Sequence, residues 1–295
     1  MDTTASGAIM RVNGTERLQA YARFIKIEHS LFSLPVLFAG TVLAAEAWPG
    51  WRVSGLVLLA GLGARTLALA VNRLLDRDLD RKNPRTAGRE LATGVLSVGD
   101  AVLVSTAGLA VYVWAAFRLS DFCLMWCWVP VLFFVIYPTL KRFTALSHFG
   151  LGLTWGLAAL GGWFAVRPGF DGMWPAVILA LFSFFWLSGF DIIYATLDEE
   201  FDRREGIYSL PAKLGRYRAL QLSALLHWAA FFCLVALYAS ALRGVLAAFL
   251  MITAGLLLFL EHLLVDNVDL AFFKINVLAG FIVLAMVISG VRSEF

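Results

Sequence analysis

Residues 173–190 read MWPAVILALFSFFWLSGF and contain no charged side chain. A stretch of this length is typical of a membrane-spanning helix, because about 20 apolar residues in a helix cross the hydrocarbon core. The chain then continues as DIIYATLDEEFDRR (191–204), where the apolar pattern runs into a cluster of acids and bases. This junction indicates both a membrane fold and a place to search for a site.

The composition of the whole chain supports the same fold class. Of 295 residues, 60% are hydrophobic and 15% are charged, and the mean hydropathy is +0.79. Soluble domains have about 45–50% apolar and about 25% charged residues. The net charge of +3 is too small to indicate nucleic-acid binding, and no feature indicates an obligatory protein partner.

Hydropathy predicts nine spans, and all must be helices because backbone groups in lipid need internal hydrogen-bond partners. They lie near 24–47, 51–75, 98–118, 121–138, 147–166, 174–197, 216–238, 243–262 and 272–292. We therefore predict an all-α, polytopic membrane protein in which residues 23–295 form one bundle of nine transmembrane helices. Residues 1–22 are predicted to be a polar N-terminal tail.

The distribution of basic residues predicts the orientation in the membrane. Five of the 24 Lys and Arg residues lie at the short connections after the odd-numbered spans or at the C-terminus: Arg52, Arg118, Arg167, Arg243 and Arg292. Arg65 lies within a span, and the remaining 18 lie on the side of the N-terminus and the long loops. The positive-inside rule places that side in the cytoplasm and the C-terminus outside. A bacterial cytoplasmic (inner) membrane is expected.

Two acidic series follow the second and sixth predicted spans in matching register. Asn72, Asp76 and Asp80 are spaced by four residues, as are Tyr194, Asp198 and Asp202. Each series ends in a basic pair, Arg81-Lys82 or Arg203-Arg204. The match predicts an internal repeat of four-helix units with one extra helix.

Spacing by four places these side chains on one helix face, about 5–6 Å apart. Carboxylates so close repel one another, and Mg²⁺ with a phosphate-bearing substrate would offset that repulsion, because Mg²⁺ binds one or two carboxylates plus substrate phosphates. Nearby bases could contact phosphate oxygens: Arg77, Arg81, Lys82, Arg85, Arg89, Arg203, Arg204 and Lys213. The alternative is an ordinary pair of solvated loops rich in both charges.

At these residues the sequence resembles the UbiA superfamily of intramembrane prenyltransferases, over nearly its whole length. The family motif N-D-x-x-D-x-x-x-D corresponds to Asn72, Arg73, Asp76 and Asp80, so Arg73 replaces an aspartate and is not expected to bind metal. The second motif, D-x-x-Y-x-x-x-D-x-x-x-D, is complete: Asp191, Tyr194, Asp198 and Asp202. The segments Lys82–Arg89 and Tyr137–Thr144 resemble two basic segments of the family.

The resemblance implies a set of site residues. Two Mg²⁺ ions on a polyprenyl diphosphate would be held by Asn72, Asp76, Asp80, Asp198 and Asp202. Diphosphate contacts would come from Lys141, Arg142, Arg85 and Lys213. Asp191 and Tyr194 lie deeper and would orient the acceptor or receive its proton. Of the aromatic residues, Phe134, Tyr137, Trp155, Phe185 and Trp186 are candidates to face an allylic cation.

The branch most similar in its local motifs is that of the 4-hydroxybenzoate polyprenyltransferases, which implies a small aromatic acceptor and a role in ubiquinone or menaquinone biosynthesis. The resemblance also includes members of that branch that serve the futalosine route to menaquinone by prenylating a purine-bearing benzoate derivative, so aminodeoxyfutalosine stays open as the acceptor. A secondary transporter is the alternative from another class, because transporters also carry internal repeats. A CDP-alcohol phosphotransferase would carry a D-G-x-x-A-R signature, which this sequence lacks.

Overall fold

A computed structural model of the chain describes residues 14–26, 30–266 and 274–291. Across these residues the secondary structure is helical, without a β-strand. The first seven helices are α1 Gly14–Ile25, α2 Ser30–Ala45, α3 Trp51–Lys82, α4 Glu90–Thr93, α5 Val98–Leu119, α6 Asp121–Trp126 and α7 Trp128–Leu140. The others are α8 Ser147–Phe164, α9 Trp174–Ala195, α10 Glu199–Glu205, α11 Leu210–Leu214, α12 Arg216–Ala241, α13 Val245–Leu263 and α14 Asn276–Val291.

The protein is an integral membrane protein by the length and apolarity of its helices. Six stretches in the described ranges are long and apolar enough to cross a membrane: Trp51–Lys82, Val98–Leu119, Asp121–Leu140, Trp174–Glu205, Arg216–Ala241 and Val245–Leu263. Two shorter apolar helices cover Ser33–Ala45 and Asn276–Val291. Helix α8 occupies the predicted fifth span. The all-helical class is confirmed, whereas the count of nine spans, the internal repeat and the orientation stay predictions.

The N-terminal region contains a helix where the sequence predicts only a polar tail. Helix α1 forms because Ala20 and Phe24, one turn apart, are both fully buried against a cluster contributed by α3, α4 and α5. Lys26 follows with a left-handed backbone, φ 44°, and the first apolar helix is α2. Residues 1–13 of the predicted tail lie outside the described residues.

The largest hydrophobic core lies among α2, α8, α9, α12, α13 and α14. Helix α9 is the most enclosed of these helices, and buried polar bonds fix it in place. Trp186 Nε1 donates to Asn276 Oδ1 at 2.7 Å, and Ser223 Oγ donates to the Gly189 carbonyl at 2.7 Å. Asn276 Nδ2 in turn donates to the fully buried Glu261 at 2.9 Å. The predicted cation-facing residue Trp186 is therefore bonded to the opposite side of the bundle.

The two acidic segments leave the bundle in different ways. Helix α3 runs unbroken from Trp51 to Lys82, so the first segment is a continuation of the span. Helix α9 ends at Ala195, and a 3₁₀ turn over Thr196–Asp198 leads into α10. The second segment is therefore divided at Asp198, which the shared spacing by four does not predict.

Candidate active site

The first acidic series lines a polar cavity of about 250 Å³ at the end of the bundle. Asn72, Asp76 and Asp80 face it from the last turns of α3. Asp76 Oδ2 accepts a hydrogen bond from Lys141 Nζ at 2.5 Å, while its Oδ1 is buried and has no hydrogen-bond partner among the described residues. Arg89 Nη1 donates to both oxygens of Asp80 at 2.8 and 2.9 Å.

The second acidic series faces the first across the same cavity. Asp198 and Asp202 line it from the 3₁₀ turn and from α10. Asp198 Oδ1 accepts from Asn83 Nδ2 at 2.9 Å, and Arg85 donates to both carboxylate oxygens of Asp198. In the structure, residues of both acidic segments line one cavity.

The loop between α3 and α4 joins the two series. Its Arg85 binds Asp198 of the second series, and its Arg89 binds Asp80 of the first. Burial, the largest single cause, lowers the pKa of Arg85. The hydrogen bonds to Asp198 together with the charges of Tyr194, Asp198 and Asp80 outweigh it, so the pKa lies above its usual value. The Arg85 side chain therefore stays cationic, able to contact an anion in the cavity.

Arg73, which replaces an aspartate of the family motif, does not line this cavity. It is 4% exposed, and its Nη1 donates to Glu90 at the start of α4 at 2.6 Å. Its guanidinium also lies 5.2 Å from the centre of the Phe24 ring. Arg73 thus holds α4 and α1 against α3.

Asp191 and Tyr194 also line the cavity, and His148 lies beside Asp191 there. His148 Nδ1 lies 2.6 Å from Asp191 Oδ2. The hydroxyl of Tyr194 accepts from Arg85 Nη1 at 2.5 Å, and the Arg85 guanidinium stacks 4.7 Å from the centre of the Tyr194 ring. Arg85 therefore joins Tyr194 to Asp198 of the same series.

Two of the four predicted diphosphate contacts line the cavity, and two do not. Lys141 and Arg85 line it. Arg142, its neighbour in sequence, is exposed and donates to the Leu75 carbonyl at 2.5 Å. Lys213 is exposed on the short helix α11 and is absent from the cavity lining. Closeness in sequence to an acidic series does not predict which way a long basic side chain points.

A divalent cation fits the oxygen ligands of this cavity in number and kind. In the described part of the chain, no three acidic, histidine or cysteine side chains converge on one point. Mg²⁺ does not need such a cluster, because one or two carboxylates and substrate phosphates suffice. The buried, unpartnered Asp76 Oδ1 is an oxygen that such an ion would satisfy.

A second, apolar cavity of about 440 Å³ adjoins the polar one, because Tyr137 and Leu151 line both. It lies among α2, α3, α5, α6, α7 and α8. Phe134, Tyr137 and Trp155 of the predicted aromatic set line it, whereas Phe185 and Trp186 do not. The hydroxyl of Tyr137 accepts from Asn72 Nδ2 at 3.3 Å, at the boundary between the two cavities. The pair of cavities suits a ligand with an anionic head and a long apolar tail.

His148 and Asn83 are two polar residues of the cavity to which the sequence assigned no role. His148 shows no metal-ligand spacing, and its partner Asp191 is 43 residues away along the chain. Asn83 lies in the segment that resembles a family loop, yet no feature of the sequence pairs it with Asp198. Both contacts depend on tertiary packing.

Comparison with known proteins matches this chain to a single family of prenyltransferases. The sequence profile of the UbiA prenyltransferase family matches residues 33–287. A 4-hydroxybenzoate solanesyltransferase from Synechocystis sp. is 35% identical over 188 residues, which cover 63% of this chain and 63% of that protein. A 4-hydroxybenzoate octaprenyltransferase from Shewanella sp. (strain MR-4) is 28% identical over 242 residues, covering 80% and 82%.

Solved structures show the same fold. A UbiA homolog from Aeropyrum pernix K1 superposes with a TM-score of 0.83 at 30% identity, over 89% of this chain and 98% of that one. A UbiA homolog from Archaeoglobus fulgidus bound to GPP and Mg²⁺ has a TM-score of 0.67 at 21% identity, covering 90% and 99%. The second likeness concerns the fold alone.

Proposed function

The chain belongs to the UbiA prenyltransferase family, and we propose that it transfers a polyprenyl group from polyprenyl diphosphate to a small aromatic acceptor. Our preferred acceptor is 4-hydroxybenzoate or a related benzoate, as in the names of the relatives, which places the reaction in quinone biosynthesis. The observation that carries the proposal is the pair of adjoining cavities, one lined by two acidic series and the other apolar.

The polar cavity supports binding of the diphosphate with Mg²⁺. Asn72, Asp76, Asp80, Asp198 and Asp202 would hold two Mg²⁺ ions. Bound there, Mg²⁺ would act as a Lewis acid that withdraws charge from the leaving diphosphate. Lys141 and Arg85 would donate to the phosphate oxygens, and these bonds strengthen as charge develops on the leaving group.

The apolar cavity supports binding of the prenyl chain and protects the reaction from water. As the allylic C–O bond breaks, its electron pair leaves with the diphosphate, and the allylic carbon becomes cationic. Phe134, Tyr137 and Trp155 line the cavity and could face that cation. Exclusion of water prevents its capture as an alcohol.

The acceptor ring then supplies the electron pair for the new C–C bond and loses a proton. Asp191 would take that proton or orient the acceptor hydroxyl; its support is that it lines the polar cavity, 2.6 Å from His148. Tyr194 would lie between the acceptor and the diphosphate, held in place by its hydrogen bond to Arg85.

The test is a transfer assay on purified protein in detergent with radiolabelled polyprenyl diphosphate and Mg²⁺. 4-Hydroxybenzoate and aminodeoxyfutalosine are offered in parallel, with and without EDTA. We expect a prenylated product from 4-hydroxybenzoate that is lost with EDTA. Product from aminodeoxyfutalosine alone would instead support the alternative acceptor. A folded protein that neither binds nor cleaves the donor would overturn the proposal and favour a transporter.

A further inference from the structure

His148 is the one histidine of the polar cavity, and both of its ring nitrogens have partners in the described structure. Its Nδ1 lies 2.6 Å from Asp191 Oδ2, and its Nε2 lies 3.3 Å from the backbone nitrogen of Leu210. The side chain is 3% exposed. An imidazole so enclosed has a fixed ring orientation.

The Leu210 contact also fixes the tautomer. A backbone N–H can only donate, so Nε2 of His148 must be the acceptor and must carry no proton. The neutral ring then has its proton on Nδ1 and donates it to Asp191 Oδ2. This geometry leaves Oδ1 as the Asp191 oxygen that His148 does not engage.

The Leu210 N–H is itself held firmly. Leu210 is the first residue of α11, so its N–H belongs to the unpaired donors of a helix start. Its side chain is 6% exposed and packs in a cluster with Ala145, Ile192, Ala219 and Leu226. Ser209, which precedes it, accepts from the Ala212 N–H at 3.3 Å and caps the helix. The chain after the second acidic series therefore sets the proton position on His148.

We infer that His148 is the positioning residue of the acceptor site. It holds the Asp191 carboxylate by its Nδ1–H, so that one oxygen is turned towards the acceptor. The inference rests on the proposed role of Asp191 in prenyl transfer. His148 does not touch the reacting atoms, and its effect on the acceptor passes through Asp191.

Two amide substitutions separate the two nitrogens of the ring. In His148→Asn the amide nitrogen lies near the position of Nδ1 and can still donate to Asp191. In His148→Gln the amide reaches the position of Nε2 and can satisfy only Leu210. A lost hydrogen bond to a charged group lowers kcat/KM for the acceptor about ten- to a hundredfold.

The expected order of kcat/KM for the acceptor is wild type, then His148→Asn close behind, then His148→Gln and His148→Ala together. The KM for the donor should be unchanged in all four proteins. The Tm of each is measured as well, because His148→Asn and His148→Ala leave the buried Leu210 N–H without its acceptor and should lower it. His148→Gln as active as wild type, or His148→Asn as impaired as His148→Ala, would overturn the inference. Absence of any transfer by the wild type would contradict the proposed function instead.

A second readout does not depend on activity. Nitrogen-15 spectra of protein labelled at histidine, with His148→Asn used to assign the signal, report which ring nitrogen carries the proton. We expect a neutral His148 protonated at Nδ1. A spectrum with the proton on Nε2 would overturn the inference even if every variant were inactive.

Discussion

Lys141 and Arg142 are neighbours in sequence, but only one of their side chains enters the polar cavity. Both lie in the basic segment after α7, and both are plausible phosphate ligands by sequence. Lys141 reaches Asp76 Oδ2 at 2.5 Å inside the polar cavity, whereas Arg142 binds the Leu75 carbonyl outside the cavity lining. Of the two, Lys141 is therefore the one that contacts a carboxylate of the acidic series.

We predict that Lys141→Ala lowers kcat/KM for the prenyl donor about ten- to a hundredfold, because a charged hydrogen bond to the diphosphate is lost. The matched variant is Arg142→Ala, which should change kcat/KM by about threefold or less. Steady-state kinetics at varied donor concentration measure both. A larger effect from Arg142→Ala than from Lys141→Ala would show that the diphosphate lies elsewhere.

The residues of the site that the sequence predicts are those whose chemistry follows a local spacing. Asp76, Asp80 and Asp198 could be found because they recur in matched series. His148 could not be found from the sequence, because its role depends on Asp191 in another helix and on a backbone N–H in a third. Lys213 was predicted as a diphosphate contact but does not line the cavity. A long basic side chain can point in several directions, and the sequence does not show which one it takes.

At the scale of elements, the loop between α3 and α4 does most to assemble the site. Its residues bind one carboxylate from each acidic series. The far end of the loop is fixed by the ion pair between Arg73 and Glu90, whose side chains are 5% and 11% exposed. Arg73, which stands where the family motif has an aspartate, therefore holds the end of this loop.

In Arg73→Ala the Glu90 carboxylate keeps only the longer ion pair to Arg23, at 3.5 Å, and the loss of one partner of a buried pair costs up to about 3–5 kcal/mol. We therefore predict that Arg73→Ala lowers both the Tm in detergent and the transfer activity. Arg77→Ala is the matched control on the same helix, because Arg77 pairs at 3.1 Å with the exposed Asp78, and such surface pairs contribute about 1 kcal/mol or less. Equal Tm values for the two variants would contradict the anchoring role.

Close helix contact between α2 and α8 depends on Gly162. A Cβ at this position would lie 2.0 Å from the Leu37 carbonyl oxygen, whereas a Cβ at Gly161 would meet no atom within 4 Å. Small residues allow such close approach between membrane helices.

We predict that Gly162→Ala destabilises the protein by about 1–3 kcal/mol, because the overpacked backbone must shift. Gly161→Ala should leave the Tm in detergent unchanged or slightly raised, since alanine favours the helix more than glycine does. Thermal denaturation of both variants is the measurement. If the two behave alike, α2 and α8 do not pack as closely as described.

At the scale of the whole molecule, the helical membrane fold was predicted correctly from composition and hydropathy. The ends of the elements were predicted less well. Helix α1 was missed because its burial depends on contacts with α3, α4 and α5, and the 3₁₀ turn at Asp198 has no signature in the spacing. Local pattern identifies spans, whereas packing between distant segments decides where they begin and bend.

The orientation of the chain makes a prediction for the intact membrane. In a variant without Cys123, Cys127 and Cys233, a cysteine placed at Asp78 should react with an impermeant thiol reagent only from the cytoplasmic side. A cysteine at Asp171 should react only from the outside, because the basic residues concentrate on the opposite face. Both positions are exposed. The reverse labelling pattern would show that the protein lies in the membrane in the opposite orientation.

The central claim is that the two acidic series together hold one diphosphate with Mg²⁺. The most direct test is calorimetric titration with a non-cleavable prenyl thiodiphosphate, with and without Mg²⁺, on Asp76→Asn, Asp198→Asn and the double variant. Asp78→Asn is the control, because that carboxylate is 77% exposed outside the cavity. We predict Mg²⁺-dependent binding that each single variant weakens at least tenfold, that the double variant weakens little further, and that the control leaves intact. Tight binding without Mg²⁺, or binding unchanged in the double variant, would contradict the claim.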